Sequence, residues 1–226
     1  MTAAARDHRS YRAGAVSALA LGIGYLATIP LIASVGFPPT GGEASLRYFV
    51  GKTAVWWIIV GLSVLTDLLY VPVALSLYLA LKEVNRYAML VATAFVGLFI
   101  VLDLAVTWTN EAALISLSGN YAAAANDVQR AAYAAAADYA SVVLASHLAP
   151  VYAIAILSFA VLMIGVVMLK GGFSRTAGYL ALATGILGIA SIAGWMVTII
   201  LNAALITVWI LIVAYRLWRL GAQQTP

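Results

Sequence analysis

Apolar residues run through this chain in long blocks, and charged positions fall almost only between the blocks. The first block, Ala13 to Phe37, is closed by Pro38-Pro39-Thr40-Gly41-Gly42, a turn signal. Between Lys52 and Lys82 stand 29 residues broken by Asp67 alone, and between Arg86 and Glu111 stand 24 broken by Asp103 alone. Asp138 and Lys170 enclose 31 residues with no formal charge, although His147 lies among them; Arg175 and Arg216 enclose 40. About 20 apolar residues carry a helix across a bilayer. Strand-like alternation in stretches of about ten is absent, which excludes a membrane β-barrel. Forty residues of helix would measure about 60 Å, roughly twice the hydrocarbon thickness, so the last block must hold two spans. Gly194-Trp195 at its midpoint is the expected turn, with Asn202 the other candidate. The pattern predicts an all-α integral membrane bundle. It is a single transmembrane domain over residues 1–226, with six helices near 14–36, 53–81, 85–109, 141–169, 176–194 and 197–219.

Composition strengthens this reading. Of 226 residues 65% are hydrophobic and 9% charged, against about 25% charged in soluble domains. Twelve basic and eight acidic side chains cannot cover a water-exposed surface of this size. The net charge of +4 comes from short flanks of the apolar blocks and does not suggest nucleic acid. Cysteine is absent, which removes disulfides and thiolate chemistry. The first block is too long for a signal-peptide core and reads as an uncleaved anchor.

Charge also orients the bundle. With both termini cytoplasmic, Arg6, Arg9, Arg12, Lys82, Arg86, Lys170, Arg175, Arg216 and Arg219 fall inside, and Arg47, Lys52 and Arg130 outside. Trp56, Trp57, Trp108 and Trp195 then form an outer aromatic belt, Trp218 marks the inner interface, and Trp209 is left mid-span.

One outer loop, residues 110–140, has room for structure of its own. Ser118-Gly119-Asn120 reads as a turn, and the alanine-rich stretch from Tyr121 to Tyr139 as a helix capped by Asn126 or Asp127. It is expected to lie on the outer face, anchored by Tyr121, Tyr133 and Tyr139; a lid over a cavity is the alternative. Gly14, Ala18 and Gly22, Ala181 and Gly185, and Ala190 and Gly194 repeat at four-residue spacing, which lets helices approach closely in lipid.

Ionisable groups inside a membrane are costly and usually face a cavity or a partner. Three stand here: Asp67, Asp103 and His147. Counted from the turn at Glu83-Val84-Asn85, Asp67 and Asp103 differ in height by about 3 Å, and His147 is expected in the same layer. At 100° per residue Ser63, Asp67, Tyr70 and Tyr78 share one helix face. Asp103, Thr107 and Asn110 share another, and His147 and Ser158 a third. Pro72 and Pro150 are expected to free the carbonyls of Leu68 and Ser146 beside these groups. The candidate intramembrane cluster is therefore Asp67, Asp103, His147, Tyr70, Ser63 and Asn110. The plain alternative is hydrogen-bonded glue between helices. A metal site of two Asp and one His is chemically possible, but nothing in the sequence fixes the three side chains on one apex, so no metal and no cofactor are expected. No phosphate loop, dinucleotide fingerprint, nucleophile elbow or zincin motif occurs.

Three passages carry a likeness to a known family. They are Leu77-Tyr78-Leu79-Ala80-Leu81-Lys82-Glu83-Val84-Asn85-Arg86, Ala145-Ser146-His147-Leu148, and Lys170-Gly171-Gly172-Phe173-Ser174-Arg175-Thr176-Ala177-Gly178-Tyr179. Over about residues 77–191 the chain resembles domain-of-unknown-function family 4386 of bacterial and archaeal membrane proteins. Ser174 stands where that family usually has proline, and Trp209-Ile210-Leu211 resembles its last span. The resemblance implies a six-span bundle that crosses the cytoplasmic (inner) membrane of a prokaryote, and no particular activity.

The sequence thus points first to a structural, accessory or regulatory membrane component rather than an enzyme. Its partners would be the lipid bilayer and possible membrane subunits or further copies of itself, not nucleic acid. The alternative is a small proton- or cation-coupled transporter using Asp67, Asp103 and His147; a membrane-embedded enzyme using the same groups is the third reading.

Overall fold

A computed structural model describes residues 3–171, 173–193 and 196–223. All regular structure among the described residues is helical. Helix α1 (Ala3–Val35) ends at Gly36, whose φ of 75° turns the chain into the proline loop. A short α2 (Gly42–Phe49) follows, then the long α3 (Thr53–Leu102). A π-helical turn, Asp103–Trp108, leads into α4 (Thr109–Ala122). Helix α5 (Asp127–Leu144) is followed by a second π turn, Val151–Ala155, and α6 (Ile156–Gly171). Helix α7 (Arg175–Ala190), a 3₁₀ turn Ser191–Ala193 and α8 (Met196–Gln223) complete the chain. Five helical stretches are long and apolar enough to cross a membrane, the longest being the 70 residues Thr53–Ala122.

That longest stretch folds back on itself. Asn85 has extended backbone (φ −158°, ψ 93°), and its side-chain Oδ1 accepts from the Ala88 amide at 3.0 Å. Asparagine caps the returning arm as it would cap any helix N-terminus. The two arms are antiparallel neighbours, with the Tyr70 and Phe99 rings 6.0 Å apart edge to face.

Around the bundle, α1 packs on α3 and α8, α3 on α6, α6 on α7, and α7 on α8. Small residues set the close approaches. A Cβ at Gly14 would meet Ser76, one at Gly22 would meet Leu211, and one at Gly185 would meet Leu162 and the Ser158 backbone. The small-residue repeats therefore serve packing within the chain; Gly194 lies outside the described residues.

Three boundaries differ from the sequence reading. The helix expected to stop near 109 continues to Ala122, and Ser118-Gly119-Asn120 is no turn. Ser118 is buried in α4 and bonds the Ile115 carbonyl of its own helix, and the chain turns after Ala122. Asn126 caps α5 by accepting from the Gln129 amide, while Gln129 accepts from the Ala125 amide, a reciprocal arrangement. The fourth span does not begin at 141. Helix α5 stops at Leu144, residues 145–148 form a turn, and Pro150, without an N–H, opens the next helix. The Ser146 carbonyl is not free there, since it accepts from the Ala149 amide at 3.0 Å. The expected turn at Gly194-Trp195 falls outside the described residues. Asn202 is not the turn, because it lies within α8.

Apolar side chains gather in two separate cores. The larger fills the bundle between α1, α3, α6, α7 and α8, with Leu21, Leu77, Met89, Met168, Trp209 and Leu217 fully buried. The smaller joins α2, the start of α3, α4 and α5 through Leu46, Phe49, Trp56, Ile59, Leu114 and Ile115. Polar bonds pin this cap. The Gly41 and Gly42 amides donate to Ser141 Oγ (2.7 Å) and Asp138 Oδ1 (2.8 Å), and Lys52 Nζ donates to the Val35 carbonyl that ends α1 (3.1 Å).

Candidate functional site

Between the two cores lies a layer of polar side chains. Along α3 the order is Trp56, Ile59 and Val60 in the cap core, then Ser63, Thr66 and Asp67, then Tyr70 and Val73 in the bundle core. The returning arm reverses it: Phe99 and Ile100, then Asp103, Thr107 and Trp108, then Leu114 and Ile115. Helix α1 contributes Tyr25 and Thr28, α6 Ser158, and α8 Asn202 and Thr207. These residues bound a cavity of about 320 Å³, walled elsewhere by Ile32, Phe99, Leu157 and Ile206. Among the described residues, none that lines it is basic.

Asp67 and Asp103 stand on the two arms, each 18 residues from Asn85, which places them at one height. Both are buried, at 4% exposure, and their carboxyls are close enough to act on each other. Trp108 Nε1 donates to Asp67 Oδ2 at 2.8 Å. Among the described residues nothing donates to Asp103 Oδ1, although the side chains of Thr107, Asp67 and Trp108 lie beside the same carboxyl. Below them the Tyr25 and Tyr70 hydroxyls share a hydrogen bond at 2.9 Å. Asn202 Nδ2 donates to the Thr184 carbonyl at 2.7 Å, tying α8 to α7 beside the cavity.

The π turn assembles this site. In an α-helix residues i and i+5 point about 140° apart. With i→i+5 bonding a turn takes roughly 4.4 residues, and the same pair points only about 50° apart. Asp103 and Trp108, five apart, thereby both reach the cavity. Thr109 Oγ1, donating to the Leu104 carbonyl five residues back, shows the widened turn directly.

The predicted cluster is brought together in part. Asp67, Asp103 and Ser63 line the cavity, and Tyr70 adjoins it through Tyr25. Asn110 turns away and donates to the Val106 carbonyl of its own helix. His147 does not join. It is exposed in the turn between α5 and Pro150, because the uncharged run that seemed one span is two helices. Tyr25, Trp108 and Asn202 were missed as site residues. Two were legible only as a mid-span tyrosine and a polar residue in an uncharged run, and Trp108 was assigned to the interface belt. Among the described residues, no three His, Asp or Glu side chains converge as metal ligands would.

A further acid, Glu111, is half-buried in the cap. Glu111 Oε2 is unpartnered and borders a cavity of about 140 Å³ with Pro39, Thr40 and Ser141. At the cap surface Arg47 donates to Glu43 Oε1 (2.7 Å), and the Tyr121 hydroxyl bonds the same oxygen (2.9 Å). These two bonds hold the Glu43 carboxyl below its ordinary pKa, Arg47 contributing most.

No family model matches the chain, and neither a curated protein nor a solved structure resembles it at a significant level.

Proposed function

We propose that this chain is a six-span protein of a prokaryotic cytoplasmic membrane, with both termini inside, and that it is a small cation- or proton-coupled transporter. The hairpin at Asn85 supports the count, since it makes two crossings of the longest apolar stretch. The excess of Lys and Arg on one side supports the orientation. The likeness to family 4386 fits the same architecture.

One observation carries the transport reading over the accessory one. Two buried carboxyls from opposite arms of a hairpin share a cavity with no basic residue among its described lining residues. Simple interhelical glue would consume its hydrogen-bonding groups, yet Asp103 keeps an oxygen unpaired. Repulsion between adjacent carboxylates in a low-dielectric layer is relieved by one proton or one bound cation between them. The site is thus suited to exchange one for the other. His147 has no part in it.

The experiment is proton efflux from proteoliposomes when a cation is added outside. A collection of small inorganic and organic cations is screened with wild-type protein, then with Asp103→Asn. Cation-dependent efflux that falls at least tenfold in the folded variant supports the proposal. Efflux that is absent for every cation, or unchanged in the variant, contradicts it.

A further inference from the structure

The cavity has a side mouth. Of the described residues that line it, only Ile29 on α1 and Ala203 on α8 are exposed, Ile29 at 56%. Helices α1 and α8 touch closely at Gly14–Leu217 and Gly22–Leu211, at the opposite end from the cap. Toward the cap, Thr28 and Ile32 face Ile199 and Ala203 across the cavity. The surfaces flanking this opening are apolar: Leu26, Ile29, Ile200 and Leu201 are all exposed. In a membrane protein such faces meet lipid, so the mouth opens into the hydrocarbon rather than into water.

The geometry points to a lipophilic amine as the ligand, taken in from the bilayer between α1 and α8 and held by its ammonium group on Asp103 and Asp67. This rests on the acidic-cavity reading above and names the cation that the site fits. The chemistry selects the class. An inorganic divalent ion would need six or more oxygen ligands, whereas much of this wall is aliphatic or aromatic. An ammonium donates N–H bonds, and Asp103 Oδ1 offers a buried acceptor with no other partner. The rings of Tyr25, Phe99 and Trp108 border the same space and attract a cation by their faces. A volume of about 320 Å³ lies at the small end of ligand pockets and suits roughly ten to fifteen non-hydrogen atoms. A route through lipid requires an apolar body, and the exposed isoleucine and alanine at the mouth leave room for one. Binding is a net exchange: the ammonium gives a proton to water as it enters the lipid, and the neutral amine then takes the proton of the carboxyl pair, leaving an ammonium between two carboxylates.

The test uses the whole chain in lipid nanodiscs with tritiated 4-phenylbutylamine as probe, in competition with 4-phenylbutanol and 4-phenylbutyrate. The expected result is saturable binding displaced by unlabelled amine and not by the alcohol or the acid. Binding should weaken at least tenfold in Asp103→Asn. Ile29→Trp and Ala203→Trp change exposed positions and should preserve the fold. They should slow association at least fivefold, which a site reached from water would not show. Equal displacement by the alcohol would overturn the ammonium assignment. Unchanged association in both tryptophan variants would overturn the lateral route. If amine binding is absent while an inorganic cation still drives proton efflux in proteoliposomes, the amine inference fails and the transport reading stands. If both are absent, the transport reading itself has failed.

Discussion

Trp108 Nε1 donates to Asp67 Oδ2 across 2.8 Å, joining the two arms of the α3 hairpin in the middle of the polar layer. The bond exists because the π turn at Asp103–Trp108 swings the indole inward from where an α-helix would put it. The tryptophan is thus part of the carboxyl site. Trp108→Phe keeps the ring and removes the only N–H. It should cost about 1–3 kcal/mol by leaving a buried acceptor unpaired, read as a lower thermal midpoint in bilayers. Trp57→Phe, at a position 46% exposed, should be neutral. Equal midpoints for the two variants would show that the indole bond contributes nothing.

Asp67→Asn should fold, because an amide oxygen can accept the Trp108 bond as the carboxyl does. Asp67→Leu should be destabilised by about 1–3 kcal/mol, since the indole N–H then has no acceptor. The check is the midpoint difference between the two variants. A leucine variant as stable as the asparagine variant would mean that Asp67 is not bonded as described.

Much of the fold was legible in the sequence because the apolar blocks are long and the turn residues strong. Pro38-Pro39 with Gly41, and Asn85 between Lys82 and Arg86, mark the two sharp reversals that organise α1 to α4. The height match between Asp67 and Asp103 follows from counting outward from Asn85. What counting could not show is where a helix changes its pitch. The π turn at 103–108 carries no sequence signature that separates it from α-helix, so Trp108 was placed on the wrong side. His147 failed for a related reason. Hydropathy stays high from Tyr139 to Leu169, and only Pro150 hints that the run is two helices, the first of them packed in the cap.

The close contact of α6 with α7 gives a packing test. A Cβ at Gly185 would collide with Leu162 Cβ and lie 2.8 Å from the Ser158 carbonyl oxygen. The helices must separate to admit it. Gly185→Ala should therefore lose about 1–3 kcal/mol, as overpacked sites do. Gly97→Ala, with nothing within 4 Å, should be neutral or stabilising by up to about 1 kcal/mol through helix propensity. Denaturation of both variants in mixed micelles checks the pair, and a stable Gly185→Ala would contradict the packing.

The Glu43–Arg47–Tyr121 group predicts an acid-sensitive cap. Because Arg47 and Tyr121 lower the Glu43 pKa in the folded protein, this contact stabilises the cap at pH above the ordinary glutamate value. The contribution is lost as pH falls through the lowered folded value. The protection of α2 amides, taken relative to their intrinsic exchange rate at each pH, should fall on acidification below the usual glutamate range, and less so in Glu43→Gln. The group is exposed, so the effect should be small and reduced by salt. Identical acid profiles for the two proteins would remove Glu43 from the account.

The native chain has no cysteine, so single cysteines report topology cleanly. In intact cells a membrane-impermeant maleimide should label Asn120→Cys and should label Arg219→Cys only after lysis. Labelling of both sites in intact cells would break the six-span arrangement.

The most direct measurement is difference infrared spectroscopy of the carboxyl groups in bilayers, as 4-phenylbutylammonium and, separately, sodium are titrated in. The account predicts that a cation removes a protonated-carboxyl band and that the change is absent in the Asp67→Asn, Asp103→Asn double variant. Carboxyl bands that no cation alters, or an equal change in the double variant, would contradict the claim that this acidic cavity exchanges protons for cations.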